Sequence, residues 1–363
     1  MITLFQDSVS KTLNTFLDVY ESKIDYKSFH LQLQHICIWN CKQFILGNEI
    51  FNRTCVLIEN SPYEDEEIHE LIKILKYLFD NALPFYVLGM DKNPIHHNLQ
   101  VVENIVQIVI GEKESFQFAR MAAILALLHD VGNGFVDPKL AKIKSSDIKD
   151  HVKNLYDEGR TEDEIDRETE KEIKKAILFR KAHMIEGVKI ADRLIDQLNK
   201  DNDSMRGIVI ENMKEITNCI EIHDNPSIAD HYSQLDKNFN KSHLIPLNNP
   251  LAVVLREADR LWMVSKEGLE KDLFDDLKKK IENKAIEKLR HNLKRFVNEY
   301  NLYCKANEIN SNELSKFKGK TLFRTATGYR LLKKYLKLRL LELDIEYHED
   351  DEKIIPFILD KAR

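Results

Sequence analysis

Hydrophobic residues recur at positions three and four apart along most of the chain, a spacing that predicts amphipathic helices. In the central section this pattern predicts a succession of helices joined by polar loops: 95–110, 116–129, 171–198, 205–223 and 250–266. Two further apolar stripes follow, one from Phe274 to Tyr300 and one at about 328–343. Glycine (11) and proline (8) are both scarce, which disfavours a turn-rich sandwich or barrel. The predicted fold class is therefore mainly α.

The first 90 residues combine helical spacing with two short apolar runs. Residues 64–81 have helical periodicity, whereas 55–58 and 85–88 are brief runs rich in branched or aromatic side chains, which favour short strands. Turn-forming residues at 89–94 then mark a boundary. We therefore predict three regions: a small α or α/β N-terminal domain of unknown role at 1–90, a helical domain at 91–270 and a C-terminal helical extension at 271–363.

Net charge and cysteine content indicate which binding partners and which cellular compartment to expect. A formal net charge of −6 and a pI near 6.1 do not favour nucleic acid as a partner. The five cysteines are odd in number and scattered, so they do not suggest a disulfide framework, and a reducing cytoplasm is expected. Cys37 and Cys41, near His35, could ligate zinc, but two small apolar side chains on a core face are commoner. No apolar stretch approaches ~18 residues, so no membrane association is expected.

Histidine and aspartate residues stand out on the predicted helices. His129 and Asp130 end the apolar run 121–128 and precede the sequence Val-Gly-Asn-Gly. Other predicted helices each carry a further imidazole or carboxylate: His97, His183, His223 with Asp224, and Asp259. A single histidine on an apolar face is more often a hydrogen-bonded core residue, and Asp259 could pair with Arg256 or Arg260. Five such helices in one section favour a shared metal site.

The order and spacing of these residues resemble the HD superfamily of metal-dependent phosphohydrolases, whose pattern is a histidine, then His-Asp, then later histidines and a final aspartate. The resemblance covers roughly 95–268. It rests on five local signatures: His97-Asn-Leu-Gln-Val101, Leu128-His-Asp-Val-Gly-Asn133, His183-Met-Ile-Glu-Gly187, Ile222-His-Asp224 and Ala258-Asp-Arg260.

The resemblance implies a helical HD-type core that binds two divalent metal ions. The expected ions are iron, manganese or zinc, with magnesium and nickel as further options. His97, His129, Asp130 and Asp259 would hold one ion, and His183, His223 and the bridging Asp130 would hold the second. Asp224 is either a further ligand or only a neighbour of His223.

Three departures from the family's pattern refine this expectation. The branch that acts on cyclic dinucleotides usually has a lysine where this chain has Asn133, and its Gly-Tyr-Pro signature is absent after Asp224. That branch is therefore disfavoured. Asn93 stands where some members have a glutamate for a third metal, so two metals are expected.

The activity implied by the resemblance is hydrolysis of a phosphoester by a metal-bridging hydroxide. The substrate would be a small phosphorylated molecule, with a nucleotide as the favoured class. Cationic candidates for neutralising its charge are Lys139, Lys181, Arg256 and Arg260, and the residues predicted to be catalytic are Asp130, Asp259, Arg256 and Lys181.

Two alternatives to a hydrolase stay open. The first is a di-iron oxygenase of the same superfamily, and the second is a non-catalytic signalling module that binds a nucleotide or a protein. The last predicted helix either packs on the body of the protein or mediates formation of a homodimer through the C-terminal helices. The loops at 131–170 and 224–249 are expected to set specificity.

Overall fold

The structure is a computed structural model that describes residues 47–87, 94–133, 145–201, 203–232, 248–273, 281–306 and 323–342. Within these ranges the extended regular elements are helices and no strand occurs, so the mainly-α prediction is confirmed. None of the helices described there is both long and apolar enough to cross a membrane. The cysteines proposed as a zinc pair, Cys37 and Cys41, lie outside the described residues.

A helical segment at 47–59 precedes the helices that we number here. The numbered helices are α1 (Asp65–Val87), α2 (Pro94–Gly111), α3 (Phe116–Leu128), α4 (Ser145–Asp157), α5 (Glu162–Lys200), α6 (Met213–Ile222), α7 (Asn225–Tyr232), α8 (Pro250–Trp262), α9 (Lys266–Leu273), α10 (Ile281–Ala306) and α11 (Ala326–Glu342).

The chain divides into two compact units. Unit 1 comprises Met1–Phe135 and Glu186–Ile220, and unit 2 comprises Val136–Ile185 and Glu221–Arg363. The first part of α5 therefore belongs to unit 2 and its last part to unit 1. The domain boundaries predicted near 90 and 270 stay predictions.

Unit 1 is built around α3, which packs against α1 and α2. Ser115 caps the N-terminus of α3 by accepting a hydrogen bond from the backbone N–H of Phe118 at 3.3 Å. The residues from Ala122 to Leu128 are inaccessible to solvent, because this part of the helix is apolar around its whole circumference. The His-Asp pair that follows therefore starts from a fixed, fully packed helix end.

Unit 2 has its own apolar core and a second set of packed helices. Side chains from α4, α5 and α7 form a buried cluster: Ile148, Ile173, Ala176, Met184, Ile228 and Tyr232. Asn249 caps α8 by accepting hydrogen bonds from two backbone N–H groups, and Pro250 occupies the first helical turn. Helix α10 packs against α7 and α9, and α11 packs against α8.

The C-terminal helix α11 is attached to α8 by a buried carboxylate. Glu257 accepts hydrogen bonds from the backbone N–H groups of Arg324 and Thr325, and from the Thr325 hydroxyl at 2.5 Å. A Cβ on Gly328 would clash with Glu257 Oε2, so glycine is required for this approach. Within unit 2, α11 therefore packs on the body of the protein; its predicted role in a homodimer stays a prediction.

Several element boundaries differ from those predicted. The short strands predicted at 55–58 and 85–88 are wrong for the residues described, because 55–58 and 85–87 are helical, and Phe85 and Tyr86 are buried on a helix face. Branched and aromatic side chains also pack in the interfaces between helices, so a short apolar run does not by itself identify a strand.

The helix predicted at 205–223 begins only at Met213. Two hydrogen bonds between the Asn199 side chain and the backbone of Ile210 fix the preceding turns, and Gly207 has a positive φ of 81°.

The long helix predicted at 171–198 begins earlier in the chain, at Glu162, and so includes most of the preceding acidic stretch. Thr161 and Glu164 form a capping box there, which starts α5 at Glu162.

Candidate metal centre

Two imidazoles and a carboxylate meet in unit 1. His97 Nε2 lies 3.3 Å from His129 Nε2 and 3.3 Å from Asp130 Oδ2, and His129 Nε2 lies 3.6 Å from the same oxygen. Donor atoms about 2.0–2.2 Å from a tetrahedral or octahedral ion are about 2.8–3.6 Å from their neighbours around it. The three side chains, which we call the unit 1 trio, therefore have the spacing of ligands around one ion.

Hydrogen bonding orients His129 for this role. Its Nδ1 lies 2.8 Å from the backbone oxygen of Ala126, so this nitrogen carries the proton and donates. The lone pair is then on Nε2, the atom that faces His97 and Asp130. Such an oriented tautomer is typical of histidines that bind metals.

Packing fixes the backbone that carries the trio. His97 follows the start of α2, and Val101 and Ile105 lie on the same buried helix face. The hydroxyl of Tyr86 donates a hydrogen bond to the backbone oxygen of Leu127, in the last turn of α3. Burial raises the pKa of Tyr86, and the nearby charge of Asp130 adds to this rise, so the hydroxyl stays protonated.

Gly187 on α5 lies against Ile220 and beside the turn after α3. A Cβ on Gly187 would lie 3.6 Å from the backbone nitrogen of Gly132 and 3.8 Å from the backbone oxygen of His129. It would also lie 3.2 Å from Ile220 Cγ2. The glycine that was part of the His183 signature in the sequence thus serves close packing against Ile220, whereas its distances to Gly132 and His129 are those of ordinary van der Waals contacts.

Unit 2 brings together the other two predicted histidine ligands. His183, on α5, and His223, just after α6, have their Nε2 atoms 3.4 Å apart and their ring centroids 5.2 Å apart. This separation again matches that of two ligands on one ion. His223 is buried and His183 is partly buried.

The carboxylate beside this pair faces two arginines. Asp224 Oδ2 lies 3.3 Å from Arg180 Nη1, and Oδ1 lies 3.7 Å from Arg256 Nη1. Burial alone would raise the pKa of Asp224, but these guanidinium groups, together with His183 and His223, hold it well below its usual range. Since both oxygens face positive charge, the contacts favour an arginine-orienting role for Asp224, and its role as a metal ligand stays a prediction.

Arg256, on α8, is buried and linked to several carboxylates. Its Nη1 lies 3.4 Å from Asp259 Oδ2, while Nε and Nη2 donate to Glu299 at 3.1 and 2.8 Å. Nη2 also donates to the Ser227 hydroxyl at 2.7 Å. Burial opposes the charged form, but the surrounding carboxylates raise the pKa of Arg256. The guanidinium therefore has protein partners at all three of its nitrogens.

Glu299, like Arg180, is a residue that the sequence pattern does not single out. It lies on α10, is fully buried, and accepts hydrogen bonds from both Arg256 and Arg260. Burial raises the pKa of its carboxyl group, and the neighbouring arginines oppose that rise. The apolar stripe on α10 was visible in the sequence, but a glutamate within it gave no sign of its distant partners.

The remaining cationic candidates differ in their placement. Lys181 is partly exposed on α5. It is two residues from His183 and therefore lies about 200° around the helix axis from it. Arg180 is three residues from His183 and shares its face more closely. Arg260 is buried against Glu299 and Ser227. Lys139 lies outside the described residues.

The described residues thus contain buried or partly buried histidine and aspartate groups that could hold a metal ion. Their oxygen and nitrogen donors suit a divalent ion of borderline or hard character. Comparison with protein-family models, with curated proteins and with solved structures finds no match to this chain.

Proposed function

We propose that this chain is a metal-dependent phosphohydrolase that acts on a small phosphorylated molecule, with nucleotides as the first class to examine. The unit 1 trio carries the proposal: three donor atoms lie 3.3–3.6 Å apart, and His129 is already in the tautomer that ligation requires. The ligand set proposed for the full site is the one that the HD resemblance implies, including His183, His223 and Asp259.

The roles of the protein's own groups follow from their chemistry. The two imidazoles of the trio are neutral donors and Asp130 supplies one negative charge, so a divalent cation held by them would keep a net positive charge that can face a phosphoryl group. Divalent ions would supply Lewis-acid activation of water and neutralise charge on the phosphoryl group. Arg256, whose nitrogens already contact Asp259, Glu299 and Ser227, would position a ligand rather than bind substrate.

Arg180 is the best-placed cation for contacting a substrate phosphoryl group. Its guanidinium is partly exposed, and Nη1 is anchored to Asp224 at 3.3 Å. Within the described residues this contact uses one of the five N–H donors of the guanidinium, and a planar guanidinium binds two phosphoryl oxygens at once. Lys181, the cation predicted from sequence, is the alternative for this role.

The first experiment tests the metal and the reaction together. Full-length protein is stripped with EDTA, reloaded with Mn²⁺ or Fe²⁺, and screened against nucleotides, phosphomonoesters and phosphodiesters. We expect near two metal equivalents per chain and release of phosphate or a nucleotide product that the stripped protein does not give. Turnover that requires dioxygen would favour the oxygenase alternative. Less than one equivalent with no turnover would favour the binding module.

A matched pair of variants tests the phosphoryl contact. Arg180→Ala should lower kcat/KM by about 10- to 100-fold, the usual effect of losing a charge-assisted hydrogen bond. Lys181→Ala, one position along the same helix, should stay within about twofold of wild type. The reverse result would assign the phosphoryl contact to Lys181.

A further inference from the structure

The buried charges of unit 2 form one connected network. Arg256 and Arg260 on α8 both donate to Glu299 on α10, and both donate to the Ser227 hydroxyl on α7. One turn before Glu299 on α10, Arg295 donates to Asp230 of α7 at 3.0 Å. Three helices are thus joined through side chains that are buried, apart from Arg295, which is 17% exposed.

Glu299 holds Arg256 in a defined orientation. Arg256 Nε donates to Oε2 and Nη2 donates to Oε1, so one edge of the guanidinium is paired with both carboxylate oxygens. This two-point pairing requires an ionised carboxylate and fixes the plane of the guanidinium. The opposite nitrogen, Nη1, is then the one directed at Asp259 and Asp224.

That orientation determines how Arg256 meets Asp259. Nη1 contacts Asp259 through Oδ2, at 3.4 Å, in a single-point contact. A guanidinium released from Glu299 would turn to pair with both oxygens of Asp259, because an unpaired buried charge is costly and bidentate pairing is favoured. Such pairing would compete with a metal ion for the same carboxylate.

We propose that Glu299 is a positioning residue that, through Arg256, keeps the carboxylate of Asp259 available as a metal ligand. The inference rests on the proposed function, in which Asp259 binds metal. It also assigns a role to part of the predicted C-terminal extension: α10 supports the site instead of being an appended helix. A group that orients a metal ligand typically changes metal affinity 10- to 100-fold when it is replaced.

The test measures Mn²⁺ binding to EDTA-treated full-length protein, from the electron paramagnetic resonance signal of free Mn²⁺. Glu299→Gln keeps the size of the side chain but puts an amide N–H₂ against guanidinium donors, so the dissociation constant should rise at least about tenfold. Arg256→Lys keeps a positive charge but has one nitrogen, which cannot pair with both Glu299 and Asp259, and should give a similar rise.

Asn292→Ala is the matched structural control. Asn292 is buried on α10 and donates to the backbone oxygen of Met263 at 2.7 Å, so its loss loosens the same helix without touching Arg256. Mn²⁺ affinity should stay within about twofold of wild type. Equal weakening by Asn292→Ala and Glu299→Gln would overturn the positioning role and leave only a structural one.

The outcomes separate the two proposals. If wild-type protein binds Mn²⁺ and a folded Glu299→Gln or Arg256→Lys variant binds it equally well, the positioning role is overturned while the proposed function stands. Should Glu299→Gln fail to fold, Arg256→Lys decides alone. If wild-type protein binds no Mn²⁺, the proposed function is overturned, and the inference with it, before any variant is made.

Discussion

The two histidine clusters have nearly the same spacing but are held by different forces. In unit 1, His97 and His129 sit at the ends of apolar helices, and their Nε2 atoms are 3.3 Å apart. In unit 2, His183 and His223 have their Nε2 atoms 3.4 Å apart, and the adjacent Asp224 pairs with Arg180 and Arg256. Packing and backbone hydrogen bonds position the first cluster, whereas a network of charged side chains surrounds the second.

This difference predicts different sensitivities. A cluster fixed by close packing keeps its geometry when surrounding charges change, because dispersion between packed side chains does not depend on pH and is not screened by salt. A cluster bordered by buried ion pairs loses stability steeply when one charge is removed. Mutations and changes of pH should therefore affect the two units differently. We expect the larger effects on metal binding from changes in unit 1, and the larger effects of altered charge on stability from changes in unit 2.

The largest expected effect is loss of metal from unit 1. His129→Ala removes one of three donors and the hydrogen bond to Ala126, so metal affinity should fall by more than the ~10- to 100-fold seen when only a supporting group is lost. Elemental analysis and Mn²⁺ titration measure it. His69→Ala, which removes an exposed histidine on α1, is the control and should bind metal as wild type does. Normal metal binding by His129→Ala would mean that packing alone has created the trio.

Breaking the buried network of unit 2 should cause the largest loss of stability. Arg256→Met leaves Glu299, Asp259 and Asp224 without one of their shared cations, and the free energy of unfolding should fall by about 3–5 kcal/mol. Urea unfolding of metal-free protein measures the change. Lys200→Met removes an exposed pair with Asp196 and should cost at most about 1 kcal/mol. If the two variants lose equal stability, unit 2 is not held by its charges.

Acid should weaken unit 2 through Asp224. Its folded-state pKa is lowered by Arg180 and Arg256 despite burial, so its stabilising contribution is present above the unfolded value of about 3.9 and is lost as the pH falls further. The stability difference between wild type and Asp224→Asn should therefore shrink between pH 5 and 3, as followed by urea unfolding of metal-free protein.

At Asp192 in unit 1, stability should change with pH in the opposite direction. Burial raises the pKa of Asp192, and a hydrogen bond from Thr217 only partly offsets this, so its charged form is disfavoured in the folded state. Relative to Asp192→Asn, the wild type should gain stability as the pH falls through that pKa. If acid changed the stability difference in the same direction for the Asp224 pair and the Asp192 pair of proteins, the environments assigned to these two carboxylates would be wrong.

Local signals in the sequence were enough to predict the two helices that carry the unit 1 trio. Helical spacing predicted 95–110 and 116–129, and the structure has Pro94–Gly111 and Phe116–Leu128. The strands predicted in the first 90 residues were wrong at 55–58 and 85–87, because short apolar runs have no periodicity that separates a strand from a buried helix. Tertiary packing decided those cases.

The residues of the candidate site also differ in how far local sequence signals identify them. His97, His129 and Asp130 stood out in the sequence because each is a polar residue at the end or on the face of an apolar helix, and the family resemblance grouped them, with Asp259, around one ion. Glu299 could not, because its partner Arg256 is 43 positions away and only the fold brings α10 against α7 and the buried arginines. Arg180 was likewise passed over for Lys181, since only the structure reveals its pairing with Asp224.

The smallest expected effect concerns the hydrogen bond that fixes the last turn of α3. Tyr86→Phe removes the donor to the Leu127 backbone oxygen and nothing else, so the free energy of unfolding should fall by about 1 kcal/mol. Metal affinity should change only a few-fold, because the remaining contacts of α3 with α1 and α2 still fix His129. Tyr63→Phe, which removes an exposed hydrogen bond to the Glu114 backbone oxygen, should cost less. Complete loss of metal in Tyr86→Phe would mean that unit 1, like unit 2, depends on single polar contacts, and the contrast between the two clusters would no longer hold.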